Sequence, residues 1–134
     1  MVYNKILLAT DGSKHAENAA EKTVELQKIW DSKVLIIHSI KDNRTPSDLY
    51  PNVDALYRKY SDLEEVYKDA GTELLIRTKK MFGKNQDSVE YRLIEEESPS
   101  KYIVRIAKEE NIDLVVLGGQ GVHSKIKTTF LGTV

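Results

Sequence analysis

The chain has 134 residues, of which 40% are hydrophobic and 31% charged, and its formal net charge is −1 with a pI near 6.3. This size predicts a single domain with one hydrophobic core, and the near-neutral charge argues against nucleic acid or an anionic membrane as a partner. The chain contains no cysteine, which excludes disulfides, thiolate metal sites and cysteine nucleophiles.

Apolar segments alternate with amphipathic ones along the chain. The short apolar segments are rich in β-branched residues and predict strands, whereas apolar residues at helical spacing predict the segments between them to be helices. Ser13 and Ser98 stand where helix N-caps are expected, and Pro99 is a favourable first helical residue. In chain order the predicted elements are strand 5–10, helix 13–30, strand 34–40, helix 62–81, strand 88–95, helix 99–110 and strand 112–117.

This alternation predicts an α/β fold with a central parallel sheet and right-handed crossovers. We expect the strand order 3-2-1-4, with helices on both faces of the sheet. Residues 41–61 carry two prolines and three tyrosines, and they are predicted to form a long loop.

In open parallel sheets, ligands bind outside the carboxyl ends of the strands, at the point where the strand order reverses. Gly118 and Gly121 follow the last predicted strand, and residues 118–134 contain no acidic side chain. Backbone amides in such a glycine-rich turn can converge on an anion, so a phosphate site is one interpretation. The alternative is that the two glycines only form a sharp turn after the strand.

Asp11 lies at the end of the first predicted strand. Its carboxylate could bind a ribose hydroxyl or Mg²⁺, or it could cap the helix that begins near Ser13. Position alone leaves these alternatives open.

The chain resembles the universal stress protein family. The resemblance rests on "KILLATDGS", "VLIIHSI", the "SP" before the third helix, "IDLVVLGGQG" and the final "FLGT". It implies a flavodoxin-like, Rossmann-like three-layer α/β sandwich, and a stress-response regulatory protein that often forms homodimers. The N-terminal segment "MVYNKILLAT" lacks the apolar region and cleavage site of a signal peptide, which predicts a soluble cytoplasmic protein. Many family members bind ATP through the pattern G-x2-G-x9-G-[ST], with Mg²⁺ as an optional companion, and others bind no nucleotide.

The family's nucleotide-binding residues carry over to matching positions of this chain. By this resemblance, Asp11 contacts ribose and metal, Ala9 and Thr10 lie against adenine, and further residues flank the base or the phosphates. The implied nucleotide-binding set is Ala9, Thr10, Asp11, Ser39, Ile40, Leu117, Gly118, Gly121, Gly132, Thr133 and Val134.

The sequence departs from the family pattern in three places. Ten residues, Val122 to Leu131, separate Gly121 from Gly132 where the pattern has nine, and Glu97 stands where a glycine is usual. The family's last helix and fifth strand, which often forms the dimer edge, are missing, so the chain resembles a domain truncated at its C-terminus. An interaction module of the same fold that binds no nucleotide is therefore the alternative function.

Catalytic and metal sites find little support in the sequence. His15, His38 and His123 share no metal-ligand spacing, so we expect no zinc-type site. The run Glu95 to Glu97 is expected to favour the following helix N-terminus rather than to catalyse a reaction. No residue is placed to position water for phosphoryl transfer, so any ATP hydrolysis should be slow.

Overall fold

A computed structural model describes residues 3–41 and 63–118 of the chain. Four strands alternate with three α-helices, and a 3-10 helix precedes the third strand. The strands are β1 (Lys5–Ala9), β2 (Lys33–Ser39), β3 (Val89–Ile94) and β4 (Leu114–Leu117); the helices are α1 (Lys14–Trp30), α2 (Leu63–Lys80) and α3 (Pro99–Glu109), and the 3-10 helix is Gly83–Ser88. Residues 42–61 of the predicted loop lie outside the described residues.

The four strands form one parallel sheet in the order β3-β2-β1-β4, which confirms the predicted order. Leu7 in β1 is the register partner of Leu35 in β2 and of Val115 in β4. All three side chains are buried, because a parallel sheet is covered on both faces. The nearly continuous apolar character of the strands in the sequence has the same cause.

Helices cover both faces of the sheet. One face packs against α1, α2 and the segment after α2; its buried residues are Ile6, Leu8, Ala19, Ala20, Val34, Ile36, Leu75, Phe82, Val89, Leu114 and Val116. The other face packs against α3; its buried residues are Leu7, Leu35, Ile37, Ile94, Tyr102, Ile106, Ala107, Ile112 and Val115. The architecture is therefore the three-layer flavodoxin-like sandwich that the sequence predicts.

The start of α1 follows the sequence prediction. Ser13 has an extended backbone, and its hydroxyl accepts a hydrogen bond from the Ala16 N–H at 3.1 Å. Ser98 holds the equivalent place before α3, but its hydroxyl does not cap a backbone N–H of the helix and instead lies 3.5 Å from the Ser100 hydroxyl. The predicted cap position of Ser98 is thus confirmed, whereas its side-chain cap is wrong.

A network of charged side chains links strands β1 and β3 to the end of α3. Both Glu110 carboxylate oxygens accept hydrogen bonds from the Arg92 guanidinium, and the Lys5 ammonium lies 3.2 Å from Oε1. Hydrogen bonds from Arg92 are the main cause of a lowered pKa of Glu110, about 2. The same bonds raise the pKa of Arg92, so both groups stay charged over the physiological range.

Candidate functional site

The candidate site lies where the strand order reverses. β1 continues into α1 on one face of the sheet, whereas α3 on the opposite face leads into β4. Ala9 and Leu117 are register partners at the carboxyl ends of β1 and β4. A crevice outside these two strand ends is the usual ligand position in open α/β sheets.

The turn from β1 into α1 brings a carboxylate to this point. The Ser13 N–H donates to Asp11 Oδ1 at 2.9 Å, and the Gly12 N–H donates to the Thr10 hydroxyl at 3.3 Å. Asp11 is half-buried and is not itself the helix N-cap, which is Ser13. Within residues 3–41 and 63–118, the second carboxylate oxygen of Asp11 has no hydrogen-bond partner. That oxygen can accept from a hydroxyl or bind a cation without disrupting the turn.

A histidine from the neighbouring strand holds the same turn. His38 in β2 is buried, and its Nδ1 lies 2.8 Å from the Thr10 carbonyl oxygen. A carbonyl oxygen can only accept, so the proton of this hydrogen bond is on Nδ1. Sequence reasoning considered His38 only as a metal ligand; the available signal was a histidine inside an otherwise apolar strand.

Gly118 follows β4 and touches the first turn of α1. A Cβ at this position would lie 2.8 Å from the Ala16 nitrogen and 2.9 Å from the His15 carbonyl carbon. Glycine is therefore required here by close packing against α1, a reason that the sequence did not reveal. The contact places Gly118 against the first turn of α1, which directly follows the β1–α1 turn.

The end of β2 is fastened to the segment between β3 and α3. The Ser39 hydroxyl donates to the Glu97 carbonyl at 2.7 Å and accepts from the Lys41 N–H at 3.2 Å. The Ile40 N–H donates to the Ile94 carbonyl at 2.9 Å. The Ser39 hydroxyl is thus already engaged in internal hydrogen bonds, both as donor and as acceptor. A ligand beside the end of β2 would therefore have to contact atoms other than this hydroxyl.

The acidic run before α3 is tied into ion pairs. The Glu95 carboxylate lies 3.1 Å from the Lys68 ammonium, and Glu97 pairs with the Arg105 guanidinium. The Glu96 carbonyl accepts from the Lys41 ammonium at 3.2 Å. The ion pairs of Glu95 and Glu97 and the backbone contact of Glu96 hold the β3–α3 segment.

Metal ligation has little support in the described part of the chain. No three His, Asp or Glu side chains within residues 3–41 and 63–118 lie close enough together to bind one metal ion. Asp11 is the carboxylate at the crevice that could contact Mg²⁺, which commonly takes one or two carboxylates together with substrate phosphates. In the same part of the chain, no helix is long and apolar enough to cross a membrane.

The structure places the predicted site residues in two groups. Ala9 and Leu117 are register partners at the carboxyl ends of β1 and β4, with Thr10 and Asp11 following β1 and Gly118 following β4. Ser39 and Ile40 lie at the end of the adjacent strand β2. The remaining predicted residues, Gly121, Gly132, Thr133 and Val134, lie outside the described residues.

Comparison with known proteins gives a consistent match over the whole chain. The family model described as "Universal stress protein family" matches residues 2–134. A putative universal stress protein from Staphylococcus saprophyticus is 31% identical over 140 residues, which cover 100% of this chain and 75% of that protein.

Solved structures share the same fold. A universal stress protein family member from Burkholderia pseudomallei is 25% identical, with a TM-score of 0.61, and the match covers 87% of this chain and 81% of that one. The universal stress protein from Archaeoglobus fulgidus in complex with dAMP is 22% identical, with a TM-score of 0.60, and the match covers 87% and 82%. At that identity the likeness to the Archaeoglobus fulgidus protein concerns the fold alone.

Proposed function

Because this chain belongs to the universal stress protein family, we propose that it is a stress-response regulatory protein that binds ATP at the carboxyl edge of its sheet. The observation that carries the proposal is the β1–α1 turn at the strand-order reversal. There, a half-buried Asp11 keeps one carboxylate oxygen without a hydrogen-bond partner among the described residues, and Gly118 packs against the first turn of the helix that follows. An adenine nucleotide supplies both a ribose hydroxyl for this oxygen and phosphates for the acid-free segment 118–134.

The solved complex with dAMP supports this choice of ligand class. In that complex, the Archaeoglobus fulgidus protein, which has the same fold as this chain, binds dAMP. The triphosphate is our extension, and it rests on the G-[ST] end of the sequence pattern, Gly132 and Thr133.

In the proposed complex, Asp11 accepts from the ribose and contacts any Mg²⁺ that accompanies the phosphates. Ala9 and Thr10 lie against the base on one side, and Ile40 at the end of β2 lies on the other. We assign Ser39 an indirect part, because its hydroxyl already bonds to Glu97 and Lys41. The backbone amides from Leu117 to Gly121, together with Gly132, Thr133 and Val134, would surround the phosphates.

Two substitutions of Asp11 separate its structural contribution from ligand binding. Asp11→Asn keeps an oxygen acceptor for the Ser13 N–H but removes the negative charge, whereas Asp11→Ala removes both. Titration calorimetry with Mg–ATP should show about 10–100-fold weaker binding for Asp11→Asn, the loss of one hydrogen bond to a charged group. Thermal melting of Asp11→Asn should match the parent, and Asp11→Ala should melt lower. Equal affinity of the parent and Asp11→Asn would contradict the assigned role.

A specific observation favours a second function, an interaction module that binds no nucleotide. The ten residues between Gly121 and Gly132 exceed the family spacing by one, and one residue adds up to about 3.3–3.6 Å of chain. Deleting Ser124 restores the spacing and should tighten ATP binding if the nucleotide proposal is right. If neither the parent nor the deletion variant binds ATP in the same titration, the interaction module is the better account.

Two further proposals concern the cellular location and the subunit number. We propose a cytoplasmic protein that forms a homodimer when the family's fifth strand is present. In the described part of the chain, β4 is an edge strand with β1 on one side. Native mass spectrometry of a version of the protein that carries this strand reports the subunit number directly, and a purely monomeric spectrum of that version would argue against the homodimer.

A further inference from the structure

We propose that His38 is a positioning residue of the nucleotide site: it fixes the peptide between Thr10 and Asp11 so that the Asp11 N–H faces the ligand. This inference rests on the proposed function and adds a residue that lies beneath the site. His38 belongs to β2 and is not a ligand contact in the arrangement proposed above.

The hydrogen bond between His38 and the Thr10 carbonyl is buried away from water. His38 is 2% exposed and Thr10 is 8% exposed, and the two atoms, Nδ1 and the carbonyl oxygen, are 2.8 Å apart. A second bond, from the Thr10 N–H to the Ile37 carbonyl at 3.0 Å, anchors the other side of the same residue. Both peptide groups of Thr10 are thus tied to β2.

This attachment sets the direction of the next amide. All described peptide bonds are trans, and in a trans peptide the carbonyl and the N–H point in opposite directions. Because the Thr10 carbonyl points to His38 on β2, the N–H of Asp11 points away from β2. Strand β4 and the candidate site at its end lie on that side of β1, and the Asp11 N–H has no hydrogen-bond partner among the described residues.

Helix α2 packs against the imidazole of His38. A Cβ on Gly71 would lie 3.2 Å from His38 Cδ2 and 2.8 Å from Leu93 Cδ1, so the bare glycine backbone lets α2 approach the ring. Gly71 is buried in the interior of the helix, where glycine is a poor helix former. The close packing of α2 on Leu93, His38 and Ile40 together explains why glycine is found there.

The test uses two substitutions of His38 and one matched control. His38→Met removes the donor, whereas His38→Asn places an amide N–H near the position of Nδ1. Gln27→Met is the control. Gln27 is 2% exposed and its amide donates to the Ser32 carbonyl at 3.2 Å, directly before the amino end of β2 and away from the candidate site. Mg–ATP affinity is measured by titration calorimetry and stability by urea unfolding for the parent and all three variants.

The expected result is a selective loss of affinity. His38→Met should bind Mg–ATP about tenfold more weakly, the equivalent of one lost hydrogen bond, and His38→Asn should stay within about threefold of the parent. Gln27→Met should lose stability but keep its affinity. If His38→Met binds like the parent, or if His38→Asn is weakened as much as His38→Met, the inference is overturned and the nucleotide proposal stands. If the parent itself binds no ATP, both fail.

A measurement on the unmodified protein covers the case in which His38→Met does not fold. In amide NMR spectra, addition of Mg–ATP should shift the Asp11 resonance strongly, and the His38 Nδ1 proton should be visible and slow to exchange. An Asp11 amide that does not respond to saturating ATP, in a protein shown to bind it, would overturn the inference.

Discussion

Gly118→Ala should destabilise the protein through a single added methyl group. The new Cβ would lie 2.8 Å from the Ala16 nitrogen and 2.9 Å from both the Ala16 Cα and the His15 carbonyl carbon. These are backbone atoms of the first turn of α1, so no side-chain rotation can relieve the contact. Overpacking of well-packed sites usually costs about 1–3 kcal/mol, and contact with a fixed backbone places this change at about 2–3 kcal/mol. The helix must shift, and with it the turn that carries Asp11.

Urea unfolding monitored by circular dichroism measures this loss as a lower midpoint with an unchanged slope. Gly83→Ala is the matched control, because Gly83 has a φ of 59° and no atom within 4 Å of an added Cβ. Its cost should be only that of a left-handed alanine, about 1–2 kcal/mol. A Gly118→Ala variant as stable as the parent would refute the packing argument, since Gly118 would then be free to serve the ligand alone.

Three further substitutions test separate parts of the structure. Ser13→Ala should lower the unfolding free energy by about 0.5–2 kcal/mol in urea titrations, because α1 loses its N-cap. Ser39→Ala should cost about 1 kcal/mol by the same measurement, since the hydroxyl no longer donates to the Glu97 carbonyl. Glu110→Gln should cost about 1–3 kcal/mol at pH 7. The folded-state pKa of Glu110, about 2, lies below its ordinary 4.5, so its pairing with Arg92 stabilises the fold above pH 4.5. The difference from the parent should therefore shrink as the pH falls from 4.5 to 2; a constant difference would contradict the assignment.

The order and type of the elements could be predicted because they depend on local patterns. Near-continuous apolar strands and amphipathic helices are visible within a few residues, and the alternation allows few topologies. The 3-10 helix Gly83–Ser88 was not predicted, since its sequence has no apolar period. The predicted side-chain cap of Ser98 is wrong because its hydroxyl lies beside the Ser100 hydroxyl, and sequence does not distinguish this partner from a helix N–H.

The candidate site was predictable in position but not in its supporting contacts. The carboxyl ends of β1 and β4 follow from the strand order, and Asp11 and Gly118 stand at those ends. The bond from His38 to Thr10 and the contact of Gly118 with Ala16 join residues distant in the sequence. Hydrophobic periodicity in the sequence does not reveal such pairs, because they form only when the strands and helices pack together.

The proposal that this chain binds an adenine nucleotide is tested most directly by native mass spectrometry of protein purified without added nucleotide, and again after addition of Mg–ATP. The account predicts a species heavier by one adenine nucleotide per subunit, and a smaller fraction of that species in Asp11→Asn at the same ATP concentration. A parent protein that remains free of nucleotide at millimolar Mg–ATP would contradict the account and favour the interaction module.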